Sequence, residues 1–197
     1  MRLVCLSLAL VLSASIGVAE KLPLGEISKY LNTLRTVEAD ITQINGDGSI
    51  STGQLLIKRP GKMRFEYAAP NEGLVLVEAN AVAIFDGKSN QGPETYPLRR
   101  TPLSIILADQ VNLGRAKMVT GHSFDGTATV VTAQDPEHPE YGNIQLKFTS
   151  NPIELRQWII NDGEGGSTTV ILGEQKTGHN IPNRTFSIER AKRTNDR

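Results

Sequence analysis

The chain has 197 residues, of which 21 are basic, 21 acidic and one a cysteine. That balance leaves no electrostatic footprint for nucleic acid or for a strongly anionic partner, and a lone Cys5 excludes a disulfide framework or a cysteine metal site. The length suits one domain with a core of its own.

Residues 1–19 come first. Arg2 gives a positive start, residues 3–12 an apolar run, and Gly17-Val18-Ala19 a small-x-small pattern, together the features of a cleavable secretory signal. The run is short of the ~20 apolar residues that a membrane-spanning helix needs. Cleavage would leave a mature domain over 20–197 with no thiol and, without Arg2, 20 basic against 21 acidic residues. Prolines and glycines are spread throughout, and no linker, internal repeat or low-complexity segment stands out.

Ile27, Tyr30, Leu31 and Leu34 recur at helical spacing and predict one amphipathic helix near the mature N-terminus. Strand signals follow: Val37, Ala39 and Ile41 alternate with polar residues, and Gly46-Asp47-Gly48 turns the chain into a strand over 50–59. Further strands are predicted over 74–77, 82–85 and 94–98. Thr101 as a cap, Pro102 at the first helical position, and Leu103, Ile106 and Leu107 on one face predict a short helix over 101–107. A second helix is expected over 112–119, then strands over 128–133, 143–149, 154–161, 167–173 and 184–189. The sum is a mainly β, α+β fold: an antiparallel meander of about ten strands with a helix in front and short helices interrupting it.

The corner at 54–67, QLLIKRPGKMRFEY, fixes more. A two-residue Pro60-Gly61 loop would mix apolar and charged groups on both faces. A loop of Pro60-Gly61-Lys62 opposes Arg59 to Met63, Ile57 to Phe65 and Leu55 to Tyr67, and gathers Lys58, Arg64 and Glu66 on the other side. Since a one-residue slip flips every side chain, the segregated register is expected. Arg59 then points from the rim onto the apolar face. There it either snorkels into solvent over the sheet edge or bonds loop or helix-end carbonyls, because an unpaired buried charge costs several kcal/mol.

KRPGKMRFEY, with ADITQ (39–43) before it and Pro70 and TPLSIILA (101–108) after it, resembles the outer-membrane lipoprotein carrier protein family, LolA. The likeness is distinctive from the N-terminal helix to about Leu113. It implies an unclosed, strongly curved β-barrel of about ten to eleven strands, with a helical lid over an apolar cavity. It also implies a periplasmic, monomeric chaperone without a cofactor, which takes lipoproteins from the inner-membrane LolCDE transporter. The cargo passes to the outer membrane, through the receptor LolB or directly. The family's latch arginine falls on Arg59, bonded to the lid. The family's cavity-wall positions fall on Met63 and Phe65; the expected apolar face adds Leu55, Ile57 and Tyr67, and the short helix over 101–107, with Leu103, Ile106 and Leu107 on one face, is the natural lid. The family's Asp-Gly hairpin is replaced here by Ala79-Asn80, and aromatic residues are scarce.

Competing chemistry is weak. Asp86-Gly87-Lys88-Ser89 lacks the first glycine of a phosphate loop, and His122-Ser123-x-Asp125 sits at a strand end without a nucleophile elbow. Asp135, Glu137, His138 and Glu140 fall in a proline-rich exposed loop, Asn183-Arg184-Thr185 fits a sequon, and His179 reads as a turn residue. No enzyme and no metal site is expected. The rival reading is a periplasmic lipid- or lipoprotein-binding sensor or regulator on the same half-barrel; about 178 mature residues would leave such a protein no second domain.

Overall fold

The computed structural model describes residues 20–70, 72–87, 91–101 and 103–195, with side chains to Arg193. The expected signal at 1–19, Pro102, and Lys88 and Ser89 of the loop motif lie outside these.

One helix, α1 (Leu24–Thr33), precedes the strands β1 (Thr36–Ile44), β2 (Ile50–Lys58), β3 (Lys62–Tyr67), β4 (Gly73–Glu78), β5 (Ala81–Asp86) and β6 (Glu94–Pro97). A 3-10 turn (Leu98–Arg100) and the short α2 (Leu103–Leu107) interrupt the strands before β7 (Val119–Phe124), β8 (Thr129–Gln134), β9 (Asn143–Ser150), β10 (Ile153–Asn161), β11 (Ser167–Leu172) and β12 (Lys176–Thr177). A 3-10 turn (Asn183–Phe186) and α3 (Ile188–Asn195) complete the fold.

All pairings are antiparallel, in the order β6-β5-β4-β3-β2-β1-β11-β10-β9-β8-β7, with β12 beside β1. The two ends, β6 and β7, do not pair with each other, so the sheet is unclosed. It is nevertheless strongly curved. Phe65 on β3 and Trp158 on β10 lie four strands apart, about 19 Å in a flat sheet, yet their ring centroids are 6.2 Å apart.

Alternation puts Val37, Ala39 and Ile41 of β1, Leu55 and Ile57 of β2, Met63 and Phe65 of β3 and Trp158 of β10 on the inner face. There all but the small Ala39 join one continuous apolar core with Ile27 and Leu31 of α1 and Ile105, Ile106 and Leu107 of α2. The outer face of β4 and β5 carries a second cluster, Leu76, Ala83 and Phe85, which Ile188 and Ala191 of α3 cover.

Three expectations are corrected. Residues 184–189 are not a strand: Phe186 is fully buried, α3 begins at Ile188, and the Glu78 carboxylate accepts the Ile188 N–H at 3.0 Å as an anionic N-terminal partner. An apolar outer face on β4–β5 needed a cover, and two alternating apolar residues were too few to mark a strand. Residues 112–119 form turns, because the Leu113 N–H is committed to the Ser28 hydroxyl of α1 at 3.0 Å, and β7 starts at Val119. β7 itself was missed; VTGHSF has little alternation and a register shift between Val119 and Gly121.

The third correction concerns the corner. The observed pairs are Ile57 with Met63, Leu55 with Phe65, Gly53 with Tyr67 and Lys58 with Lys62. The loop is therefore Arg59-Pro60-Gly61, one residue earlier than expected. Segregation of faces determines only the parity of the register, and a slip of two restores the same faces. Loop chemistry decides the rest: a three-residue hairpin loop ends in a left-handed residue, and Gly61 at φ +67° takes that place without the penalty Lys62 would meet.

Candidate functional site

The loop of residues 59–61 brings the C-terminal ends of α1 and α2 together. Neither helix has a basic residue in its last turn, and the last carbonyls of a helix lack partners within it. Arg59 supplies them. It is only 7% exposed. Its Nη1 donates to the Leu31 carbonyl and, at 3.2 Å, to the Leu34 carbonyl. Its Nε and Nη2 donate to the Ala108 carbonyl at 3.2 and 2.5 Å, and Nη2 also reaches the Asn32 amide oxygen at 3.4 Å and the Asp109 carbonyl at 3.5 Å. The Arg59 N–H donates to the Arg35 carbonyl at 2.8 Å, and the Gly61 N–H to the Leu107 carbonyl at 2.9 Å.

Of the two readings of Arg59, solvent exposure is thus excluded: the guanidinium bonds helix-end carbonyls. Burial, and then the nearby Arg35, pull its pKa below the ordinary arginine value, against Asp109. A planar fork with five donors suits such a node, where carbonyls converge from two sides.

A second clasp was not anticipated. Asn32, on the last turn of α1, bonds Val111 twice, accepting its N–H at 2.8 Å and donating to its carbonyl at 2.9 Å. Ser28, one turn earlier, accepts the Leu113 N–H. Both residues sit beside the predicted apolar stripe, and a polar side chain on a helix flank carries no sequence signal for a partner about 80 residues away.

Leu55, Ile57, Met63, Phe65, Ile106 and Leu107 are all buried in the core between the sheet and the helices. Leu103 and Tyr67 are half-buried against it. Instead of lining an open cavity, these side chains pack against one another with α1 and α2 seated on them. Phe65 stacks obliquely on Tyr67, with centroids 4.9 Å apart. The Tyr67 hydroxyl donates to the Gln43 amide oxygen at 2.7 Å, and burial, opposed by that bond, pushes its pKa up to about 12. The inner face of the later strands, beyond the region where the motifs were distinctive, adds Val131, Leu146, Phe148 and Trp158. The expected helix cap at Thr101 takes another form: its hydroxyl turns back to the Leu98 carbonyl at 2.9 Å, while its carbonyl accepts the Ser104 N–H.

The other sequence candidates fall elsewhere. His122 Nε2 meets the Leu22 carbonyl at 2.8 Å. Asp125 is held by Lys147 and by the Ala128 and Thr127 amides, which keep its pKa at about 2. His138 pairs with Glu140 at 3.0 Å and stacks on Tyr141, and His179 lies 3.2 Å from Glu38. Among the described residues no three His, Cys, Asp or Glu side chains are grouped to hold a metal ion. Ala79 and Asn80, both at positive φ, make the two-residue turn between β4 and β5.

The family model described as outer membrane lipoprotein carrier protein LolA matches residues 32–189. The chain is 24% identical over 190 residues to the outer-membrane lipoprotein carrier protein of Pseudomonas aeruginosa, covering 92% of this chain and 90% of that one. It is 23% identical over 179 residues to that of Azotobacter vinelandii, covering 87% and 86%. A putative outer membrane lipoprotein-sorting protein domain from Vibrio parahaemolyticus shares the fold, with a TM-score of 0.51 at 11% identity over 88% of this chain and 97% of that one.

Proposed function

The chain belongs to the LolA family of outer membrane lipoprotein carrier proteins, and from this premise we propose that it is a periplasmic carrier for the acyl chains of lipoproteins. Residues 1–19 serve as its export signal. Cargo comes from a LolCDE-type transporter in the inner membrane and goes to the outer membrane, to a LolB-type receptor or to the bilayer itself.

The observation that carries the reading is the Arg59 node. Two helices lie on an apolar concave face and are tied down at their ends by one side chain. Polar bonds of this kind are directional and few, whereas the apolar contacts beneath them can be exchanged for equally apolar ligand. With α2 displaced, the inner faces of Leu55, Ile57, Met63 and Phe65 form the wall of a cavity for hydrocarbon, and Leu103, Ile106 and Leu107 its lid. Closed and loaded states then compete for one surface, and Arg59 weights the closed one. No step requires bond-making chemistry, so the reading is that of a binding protein rather than an enzyme.

Trp158 is the chain's only tryptophan and sits on the inner face beside Phe65. A lipopeptide with brominated acyl chains should quench its fluorescence saturably, and the same peptide without acyl chains should not. Absence of quenching in folded protein would defeat the proposal.

A further inference from the structure

The neutrality of the chain conceals a local imbalance. Residues 98–119, which contain α2 and its flanks, hold four of the 21 basic residues, Arg99, Arg100, Arg115 and Lys117, but one acidic residue, Asp109. The segment carries a formal +3 and the remainder of the chain −3. Asp109 is itself turned toward Arg35, 3.9 Å away. The four cations are all exposed, and among the described residues no hydrogen bond or ion pair engages their side chains.

Arg115 and Lys117 also flank a groove. It has a volume of about 360 Å³ and lies between α2 and the turns that follow, with Ile105, Ala108, Val111 and Met118 among its walls. That volume is at the low end for sites that take small ligands. Unpaired cations beside an apolar groove, on the segment that the carrier reading moves, match the chemistry of a bilayer interface: anionic headgroups above, hydrocarbon below. An acidic protein surface would satisfy the cations but would leave the groove without a purpose.

We propose that residues 98–119 dock on an anionic lipid surface, with Arg115 and Lys117 holding headgroup phosphates and the groove between them receiving hydrocarbon. Docking of this kind presents the lid to the membrane where cargo must leave, so it rests on the carrier reading for its purpose though not for its chemistry. It also adds a selectivity that the overall charge does not suggest, since the rest of the molecule is repelled by the same surface.

The test is flotation of the empty protein with vesicles of phosphatidylcholine alone or with roughly one-third phosphatidylglycerol. The wild type should float with the anionic vesicles only, and about 500 mM salt should release it, because screening then acts within a few Å. Arg115→Gln combined with Lys117→Gln should lower partitioning about 30-fold, whereas Lys176→Gln with Arg193→Gln, two exposed cations on other elements, should not. Equal partitioning of the wild type to both vesicles, or of the lid variant and the wild type to anionic ones, overturns the proposal. So does a wild type that ignores vesicles altogether, which would redirect the patch to an acidic protein surface. Brominated lipopeptide run in parallel keeps the two readings apart: Trp158 quenching should survive in the lid variant. Flotation without quenching would remove the carrier reading and leave the docking.

Discussion

Arg59→Leu keeps most of the apolar stem and removes the guanidinium. Three carbonyls then lose their closest charged donor: Leu31 and Leu34 at the end of α1, and Ala108 just after α2. A hydrogen bond to a charged group contributes about 1.5–3 kcal/mol. The sum is not lost in full, because the variant no longer desolvates a cation and the half-buried Leu34 and Ala108 segments admit water, so global stability should fall by about 3 kcal/mol. The local effect is sharper. Opening of α2 breaks only the bonds on its own side, worth about 1.5–3 kcal/mol in the wild type, so their removal should raise the open population about 10- to 100-fold. Hydrogen exchange followed by mass spectrometry reads this directly at the amides of Gly61, Val111 and Leu113, which bond across the junction between the helices. Those amides should exchange faster by that factor while the β1–β2 ladder changes much less. Uniform acceleration, or none, would refute a local latch. Lysine at 59 should recover little, since a point charge cannot reach carbonyls on both helices as the fork does.

Asn32→Ala removes both bonds to Val111 and should weaken the same closure by about 1–2 kcal/mol; combined with Arg59→Leu it should be less than additive, since Arg59 Nη2 also reaches Asn32, as exchange at Leu113 would reveal. Ala79→Gly should raise the melting temperature by about 2–4 °C, because Ala79 is held at φ +49° where glycine escapes a penalty of about 1 kcal/mol; a lower melting temperature would contradict the turn geometry. Stability should fall as pH rises from about 10, where the unfolded phenol ionises, to about 12, the value to which burial raises Tyr67. In that window the unfolded state has released a proton that the folded state retains, so the slope is negative, and the loss is at most about 2.7 kcal/mol. Tyr67→Phe should flatten that part of the denaturation profile.

How far the sequence reached depended on the kind of signal. Alternation at 54–67 identified the inner face of β2 and β3 correctly, because parity is written in every second residue. It could not choose between registers two residues apart, and the decisive fact was the single left-handed position that Gly61 occupies. Arg59 was legible as a charge on an apolar face, but only the fold could show that two helix ends arrive there. Asn32 and Ser28 were not legible at all: their partners, Val111 and Leu113, belong to a segment that read as a helix and instead commits its amides to α1. The stretch at 184–189 failed for a related reason. Ile188 and Ala191 answer to Leu76, Ala83 and Phe85 on the outer face, and local periodicity does not record a demand made by distant strands.

A packed concave face sets the energetics such a carrier would need. An acyl chain burying about 14 carbons gains about 11 kcal/mol at about 0.8 kcal/mol per CH₂, and several chains in a preformed empty cavity would approach the ceiling of noncovalent affinity, too tight to release. Here the proposed cavity wall is already covered by the protein's own side chains. Ile105, Ile106 and Leu107 are buried against the sheet, and their burial contributes about 1.5–3 kcal/mol each. On the proposed mechanism, cargo entry would forgo that contribution and, on the same movement, the carbonyl bonds to Arg59. The closed state therefore offsets much of one chain's hydrocarbon gain. Its two components differ in kind: apolar contacts are replaced by cargo as they are lost, while the Arg59 bonds have no replacement in hydrocarbon. The node is thus the part of the closed state that acyl chains cannot imitate, and substitutions there should shift release more than capture.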